Sequence, residues 1–429
     1  MPGVPATHLG NDRTPEEGAL AKPVTIKEIR AAADLLRDRV VRTPLVPAPR
    51  LSDLLGCSLF LKLENLQYTG SFKDRGAYVK LKSLSNAEAA AGVIAMSAGN
   101  HAQGVAYHAR QLGIPATIVM PEDTPFSKVE RTKALGAEVV LAGHSIDAAA
   151  QAANEIRESR GLTFIHPYDD PKIVAGQGTV GLEMLEDAPE LDTLVMPIGG
   201  GGLMAGAAIA AKAVKPDVRL VGVEAKLFPS MYQALHNASP TSGGSTIADG
   251  IAVKSPGKLT RAIIEPLVED IVMVDEPGLE TAVTILVEQQ KIVAEGAGAA
   301  PLAALLADPD RYAGQNVGLV ISGGNIDARL LAAVLSRGMV RDGRLTQLRI
   351  DIHDQPGTLA RVSNTIGRLG GNIVEVYHQR MFYDVPARLA KVDVVVETRN
   401  AGHVHEIIDA LNADGYPARE LSGRSADRL

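Results

Sequence analysis

Residues 64–76 read Glu-Asn-Leu-Gln-Tyr-Thr-Gly-Ser-Phe-Lys-Asp-Arg-Gly, and the interpretation of the whole chain turns on them. The apolar, alternating segment Leu59–Glu64 predicts a strand that stops at this Thr-Gly-Ser turn. A helical pattern opens at Asp74-Arg-Gly-Ala, with Ser71 as the expected N-cap. Lys73 then falls in the first helical turn, near the positive end of the helix dipole. That position disfavours an ammonium, lowers the pKa of the amine and suits a nucleophile. A surface lysine in a polar loop has the same local pattern, so the choice rests on the motifs that accompany it.

Composition narrows the class. A chain of 429 residues has room for two or three domains and a large core. A net charge of −7 offers no footing for nucleic acid or an anionic membrane. With 42 glycines, 3% aromatic residues and no Trp, tight βα turns of an α/β protein fit better than an all-β sandwich. The single Cys57 excludes an internal disulfide and any cysteine-based metal site, and reads as a small packing residue. No secretory signal or membrane-length apolar run is present, so a cytoplasmic location is expected.

Residues 1–23 are polar and non-periodic, which predicts a poorly ordered tail. Val24–Asp38 has helical periodicity, with Thr25 as its cap. Strands are expected at Gly92–Ser97, Ala116–Met120, Glu138–Leu141 and Thr163–Ile165, with helices at Gln103–Leu112, Ser127–Leu135 and Ile146–Ser159 between them. The theme repeats with strands at Leu194–Ile198, Leu220–Val223, Ile271–Val274 and Gly318–Ser322, and helices at Leu203–Ala213 and Pro277–Gln290. Such alternation means βαβ crossovers and mostly parallel sheet, here in two lobes with a cleft between them. Arg337–Arg344 is polar, contains two glycines and reads as a linker. Beyond it the order is β-α-β-β-α-β: Gln347–Ile352, Pro356–Leu369, Asn372–Gln379, Lys391–Glu397, His403–Asn412 and Ala418–Leu421. That is the ferredoxin-like arrangement, in a separate small domain.

Three further turns sit at expected strand ends. Gly199–Gly202 follows an apolar strand and opens a helix, so its backbone N–H groups and the helix N-terminus form a phosphate cradle. A merely flexible βα turn is the alternative, although four consecutive glycines cost folding entropy. Neither the dinucleotide fingerprint nor a Gly-Lys-Ser/Thr ending is present. Ser97-Ala98-Gly99-Asn100-His101 offers small residues that let backbone amides approach a ligand carboxylate, and Ser322-Gly-Gly-Asn325 repeats the pattern. Open α/β sheets bind ligands at such strand ends. An amine nucleophile, a phosphate cradle and small polar turns together suit a phosphorylated aldehyde held as a Schiff base, with pyridoxal 5'-phosphate the obvious candidate.

These four motifs, in this order, resemble the fold-type II (tryptophan synthase β-like) pyridoxal-phosphate enzymes, and among them the threonine dehydratases, or threonine ammonia-lyases. The similarity extends over 24–342. The resemblance implies that Lys73 forms the Schiff base and, once freed by the substrate, removes its Cα proton. It places Phe72 near the cofactor ring, Asn100 at the 3′-oxygen, Gly199, Gly200, Gly201, Gly202 and Leu203 at the phosphate, and Ser322 at the pyridine nitrogen. Ser97, Ala98, Gly99, Asn100 and His101 would bind the substrate carboxylate, although His101 can equally pack behind the turn. The implied reaction is β-elimination from L-threonine, or from L-serine, to give a 2-oxo acid and ammonia. Serine racemases of this fold carry a serine where Ala98 stands, so racemisation is not expected. Those relatives also hold a divalent cation; Glu224 matches one ligand, but Phe228 and Ser230 occupy the following positions, and no metal is expected.

Asp351-Ile-His-Asp-Gln-Pro-Gly-Thr-Leu-Ala360 and Gly371-Asn-Ile373 resemble an ACT-type regulatory domain over 346–421. In that family the loops carrying Asp354, Gly357 and Asn372 bind small amino acids, which implies isoleucine as a feedback effector; a purely oligomerising domain remains the alternative. A homotetramer is the expected assembly.

Overall fold

The computed structural model describes residues 24–379 and 389–421, so the expected tail over 1–23 lies outside the described residues. The larger lobe is built on a six-stranded sheet running, edge to edge, Leu45–Pro47, Ser58–Lys62, Asn316–Val320, Thr193–Pro197, Arg219–Ala225 and Asp270–Val274. Only the first pair is antiparallel. Both faces are covered, which is why these strands read as continuous apolar runs. Leu194 and Met196 pack with the helices on one face, whereas Val195 joins Leu59, Leu61 and Leu319 on the other. The smaller lobe has four parallel strands in the order Glu138–Leu141, Ala116–Met120, Val93–Met96, Thr163–Phe164. The C-terminal domain is an antiparallel sheet ordered Asn372–Gln379, Leu389–Glu397, Leu345–His353, Ala418–Glu420, with two helices on it.

The strand ends explain where a ligand belongs. Ser58–Lys62, Asn316–Val320 and Thr193–Pro197 are parallel neighbours, so the lysine turn, the Ser322 turn and the glycine run emerge side by side. The first two are also stitched together: Phe72 N donates to Ser322 O at 3.0 Å, and Gly324 N to Gly70 O at 2.9 Å.

Four expectations change. The helix over Lys73–Lys82 starts at Phe72 without a side-chain cap, and the buried Ser71 hydroxyl has no partner among the described residues. Asp74 instead ties down the preceding turn, its carboxylate accepting from Thr69 N at 3.0 Å and from the Thr69 hydroxyl. The segment 337–344, expected as a linker, is mostly helical, since the helix Ala328–Arg341 runs into it and leaves 342–344 as the joint. Gly338, which reads as a break, lets that helix approach Thr284, whose Oγ1 would lie 2.9 Å from any added Cβ. The helices Pro171–Asp187 and Gly296–Ala307 carry no visible periodicity because they are buried nearly all round. The helix before Glu295 changes character, from α over Glu276–Ile285 to a π turn over Leu286–Gln290.

Arg75 anchors the helix that bears Lys73. Its guanidinium is wholly buried and bonds both oxygens of Glu64 at 2.7 and 2.8 Å and both oxygens of Glu183 at 2.6 and 2.8 Å. Lys62 joins the cluster through Glu183 at 2.5 Å and Thr43 O at 2.7 Å. Burial pushes the Glu64 carboxyl up, but Arg75 overrides it and holds the group below its ordinary pKa. Strand, helix and the helix Pro171–Asp187 are thereby locked together beneath the lysine.

Candidate active site

Lys73 projects into the cleft, its Nζ donating to Pro167 O at 2.7 Å and lying 5.2 Å from the centre of the Phe72 ring. Burial lowers its pKa to about 8, against an opposing pull from the carboxylate of Glu295. The direction agrees with the expectation from sequence, with desolvation as the leading cause. At pH 8 about half of such an amine is neutral, against about 0.3% for an ordinary lysine.

From the other lobe, the helix Asn100–Leu112 begins earlier than expected, which puts Asn100 in its first turn. Asn100 Nδ2 donates to Glu295 Oε1 at 2.6 Å, and its Oδ1 accepts from Asn325 Nδ2 at 2.6 Å. Asn325 Nδ2 also reaches Thr69 O at 2.7 Å, so one chain of amides joins three turns. Ser97 Oγ accepts from Gly99 N at 3.2 Å and shapes the turn, while Ala98 packs against the small lobe's core. His101 is turned away: its Nε2 meets Ile165 O at 2.8 Å, and burial drives its pKa down to about 3. The imidazole is therefore neutral, and only the backbone of this residue is left to the turn.

The glycine run needs its lack of side chains. A Cβ on Gly200 would fall 2.2 Å from carbons of the Tyr168 ring, and Gly201 holds a left-handed φ of +93°. Thr260 Oγ1 fixes the loop by donating to Gly200 O at 2.6 Å. The side chain of Leu203 lies in the core, leaving its backbone to the cradle. Ser322 is buried at the floor and its hydroxyl makes no hydrogen bond among the described residues. A cradle closed to any side chain, an amine of lowered pKa and an unengaged hydroxyl below it fit a pyridoxal phosphate.

Glu295 is a site residue that the sequence does not announce. It stands at the start of the helix Gly296–Ala307, and burial raises its pKa to about 7 despite the bond from Asn100. The small-residue run Gly296-Ala-Gly-Ala-Ala300, which packs the helix close under the Ser322 turn, is the one signal that could have found it. Pro167 and Tyr168 carry none. Glu224 uses both oxygens on the N–H groups of Met231 and Tyr232, at 2.8 and 2.9 Å, and burial raises its pKa to about 7. Asp249 pairs with Lys128 at 3.0 Å. Among the described residues no three His, Cys, Asp or Glu side chains gather as metal ligands.

In the C-terminal domain, Asp354 and Gly357 line a cavity of about 570 Å³ together with Pro356, Thr358, Ser363 and His378. Asn372 is not brought there; its side chain bonds Glu397 at 3.0 Å.

Residues 36–323 match the model of the pyridoxal-phosphate dependent enzymes, and residues 346–415 that of the ACT domain. The chain belongs to the pyridoxal-phosphate dependent enzyme family. It is 44% identical over 398 residues to an L-threonine ammonia-lyase of Thermotoga maritima, covering 92% of this chain and 99% of that one. An Escherichia coli K12 protein, L-threonine dehydratase catabolic TdcB, is 45% identical over 71% of this chain and 94% of its own length. Among solved structures, maize serine racemase superimposes with a TM-score of 0.69 at 35% identity, over 74% of this chain and 98% of its own. This family member is accordingly a pyridoxal-phosphate dependent α/β enzyme with a C-terminal ACT domain. No described helix is long and apolar enough to cross a membrane.

Proposed function

We propose that the enzyme deaminates L-threonine to 2-oxobutanoate and ammonia by β-elimination, the first step toward isoleucine, under feedback from an amino acid bound in its ACT domain. In this reading residues 24–342 form the catalytic domain and 346–421 the regulatory one. The observation that carries it is a low-pKa amine at Lys73, together with Ala98, which stands where the racemases of this fold carry a serine and has no acid or base to offer.

Bound in the cleft, pyridoxal phosphate supplies the electron sink that acidifies the Cα–H of an amino acid. The chain's own groups do the rest. Lys73, anchored by the Arg75 cluster, takes the Cα proton on one face. Ser97, Ala98, Gly99 and Asn100 offer a small-residue turn for the substrate carboxylate. Ser322 would meet the pyridine nitrogen with a neutral hydroxyl rather than a full charge, which would favour prompt elimination. Gly199–Gly202, with the backbone of Leu203, hold the phosphate.

Release of 2-oxo acid from threonine, with and without isoleucine, tests this directly. No turnover of threonine by the loaded enzyme would sink the activity, and an unchanged threonine saturation curve with no isoleucine binding by calorimetry would sink the feedback. The likeness to the catabolic TdcB favours a second reading, a degradative serine/threonine dehydratase. Relative kcat/KM for threonine and serine, with isoleucine and AMP as effectors, separates the two. A cytoplasmic homotetramer completes the proposal, and sedimentation checks the assembly.

A further inference from the structure

The catalytic part and the ACT domain are joined by three residues, Asp342-Gly343-Arg344, between the helix Ala328–Arg341 and the strand Leu345–His353. Those residues are bonded on both sides: Asp342 N, Gly343 N and Arg344 N donate to Gly338 O, Val340 O and Met339 O of the helix, at 3.0, 3.1 and 2.8 Å, and the carbonyls of Gly343 and Arg344 face the ACT sheet. Thr398 N donates to Arg344 O at 2.9 Å, and the buried Thr398 hydroxyl to Gly343 O at 2.6 Å. The Arg344 guanidinium reaches the other way, to Glu288 Oε1 at 2.7 Å. The preceding helix is further held by Arg337 and Arg341, which both bind Glu280 on the helix Glu276–Ile285.

Glu288 lies in the π turn Leu286–Gln290, which ends at Lys291 with a left-handed φ of +59°. A π turn holds one residue more than an α-helical turn and is frequent at functional sites. Reverting to α geometry would displace the residues C-terminal to it by about the 1.5 Å rise of one residue. Those residues lead straight into the active site. Asn65 Nδ2 holds Val293 O at 3.1 Å, Glu295 N donates to Gly323 O at 3.0 Å, and the Glu295 carboxylate accepts from Asn100.

We propose that Arg344 and Glu288 form a relay through which the ACT domain sets the π turn and so the position of Glu295 and Asn100 in the cleft. The proposal rests on the regulatory reading under Proposed function and supplies its physical route. Coupling between distant sites requires an element with two discrete arrangements that both sites bias, and the proposal assigns that role to the turn at 286–290, switching between π and α geometry. Arg344 senses the ACT sheet through its carbonyl, which accepts from Thr398 N, and the preceding helix through its N–H, which donates to Met339 O. Glu288 moves with the turn because it lies within it. Arg344 and Glu288 are positioning residues, acting through Glu295 and Asn100.

The test uses the full-length, cofactor-loaded enzyme and the variants Arg344→Ala, Glu288→Ala and the charge exchange E288R/R344E. Deuterium exchange over residues 286–296 reads the turn, and threonine KM and kcat read the site, each with and without isoleucine. The relay predicts faster exchange over 286–296 in both alanine variants, a change in threonine KM of up to about fivefold as expected for one partly exposed ion pair, and recovery of both in the exchange. Any isoleucine response of the wild type would be weakened in the alanine variants. Exchange over 286–296 and KM both unchanged in Arg344→Ala, with only the melting temperature altered, would overturn the relay and leave the pair a simple surface contact. A wild type that ignores isoleucine would count against the feedback reading alone, because the exchange and KM arms judge the relay without any effector.

Discussion

Substituting Gly200 by Ala perturbs the cradle at its tightest point. The added Cβ would stand 2.2 Å from the Tyr168 ring carbons, where ordinary contact begins at 3.4 Å. Neither side gives way easily. Gly200 is fixed by Thr260 through its carbonyl, and Tyr168 is held by a bond from its hydroxyl to Ser255 O at 3.1 Å. Overpacking of this kind costs about 1–3 kcal/mol. If the strain falls on the loop that meets the phosphate, cofactor affinity drops about five- to 150-fold. Titration of the cofactor-free protein with pyridoxal phosphate, followed by absorbance, measures this, and circular dichroism confirms that the variant folds. The companion variant Tyr168→Ala removes the obstructing ring, so the double variant should regain most of the lost affinity. Wild-type affinity in Gly200→Ala, or no recovery in the double variant, would refute the reasoning about the cradle.

Replacing Arg75 by Ala leaves the buried Glu64 and Glu183 short of their main partner and should cost about 3–5 kcal/mol in urea unfolding, with Arg75→Lys less harmful. Burial raises Glu295 from 4.5 to about 7, so the folded state keeps a proton that the unfolded chain releases. Stability of the cofactor-free protein should therefore fall as pH rises from about 4.5 through 7, and Glu295→Gln should flatten that part of the urea-midpoint profile. Ala98→Ser places an acid/base opposite Lys73, and chiral chromatography should then detect D-serine formed from L-serine, absent in the parent enzyme.

The lysine turn, the glycine run and the Ser322 turn are legible because strand-end chemistry is local. Small residues between an apolar strand and a helix announce themselves without knowledge of the rest of the fold. Glu295 is not legible. It stands 222 residues beyond Lys73 (295 − 73), after a π turn that no periodicity reveals. The helix Pro171–Asp187 escapes for a related reason, since burial on nearly every side removes the polar face that periodicity needs. Ser71 fails as a cap because the N–H groups of Asp74 and Arg75 turn to the backbone carbonyls of Ser71 and Phe72 rather than to its hydroxyl. At 337–344 a glycine has the sequence signature of a break, whereas its role is close approach to Thr284, and so the stiffness of the joint to the ACT domain does not show in the sequence. The alternative for Lys73, a surface lysine, fails on burial and on its bond to Pro167.

The chemistry of the cleft hinges on Lys73 carrying the cofactor. Borohydride reduction of the loaded enzyme, followed by proteolysis and mass spectrometry, tests this most directly. The expected result is one pyridoxyl adduct, on Lys73, and none in Lys73→Ala. An adduct on another lysine, such as Lys62 or Lys128, or an adduct that survives in Lys73→Ala, would contradict it.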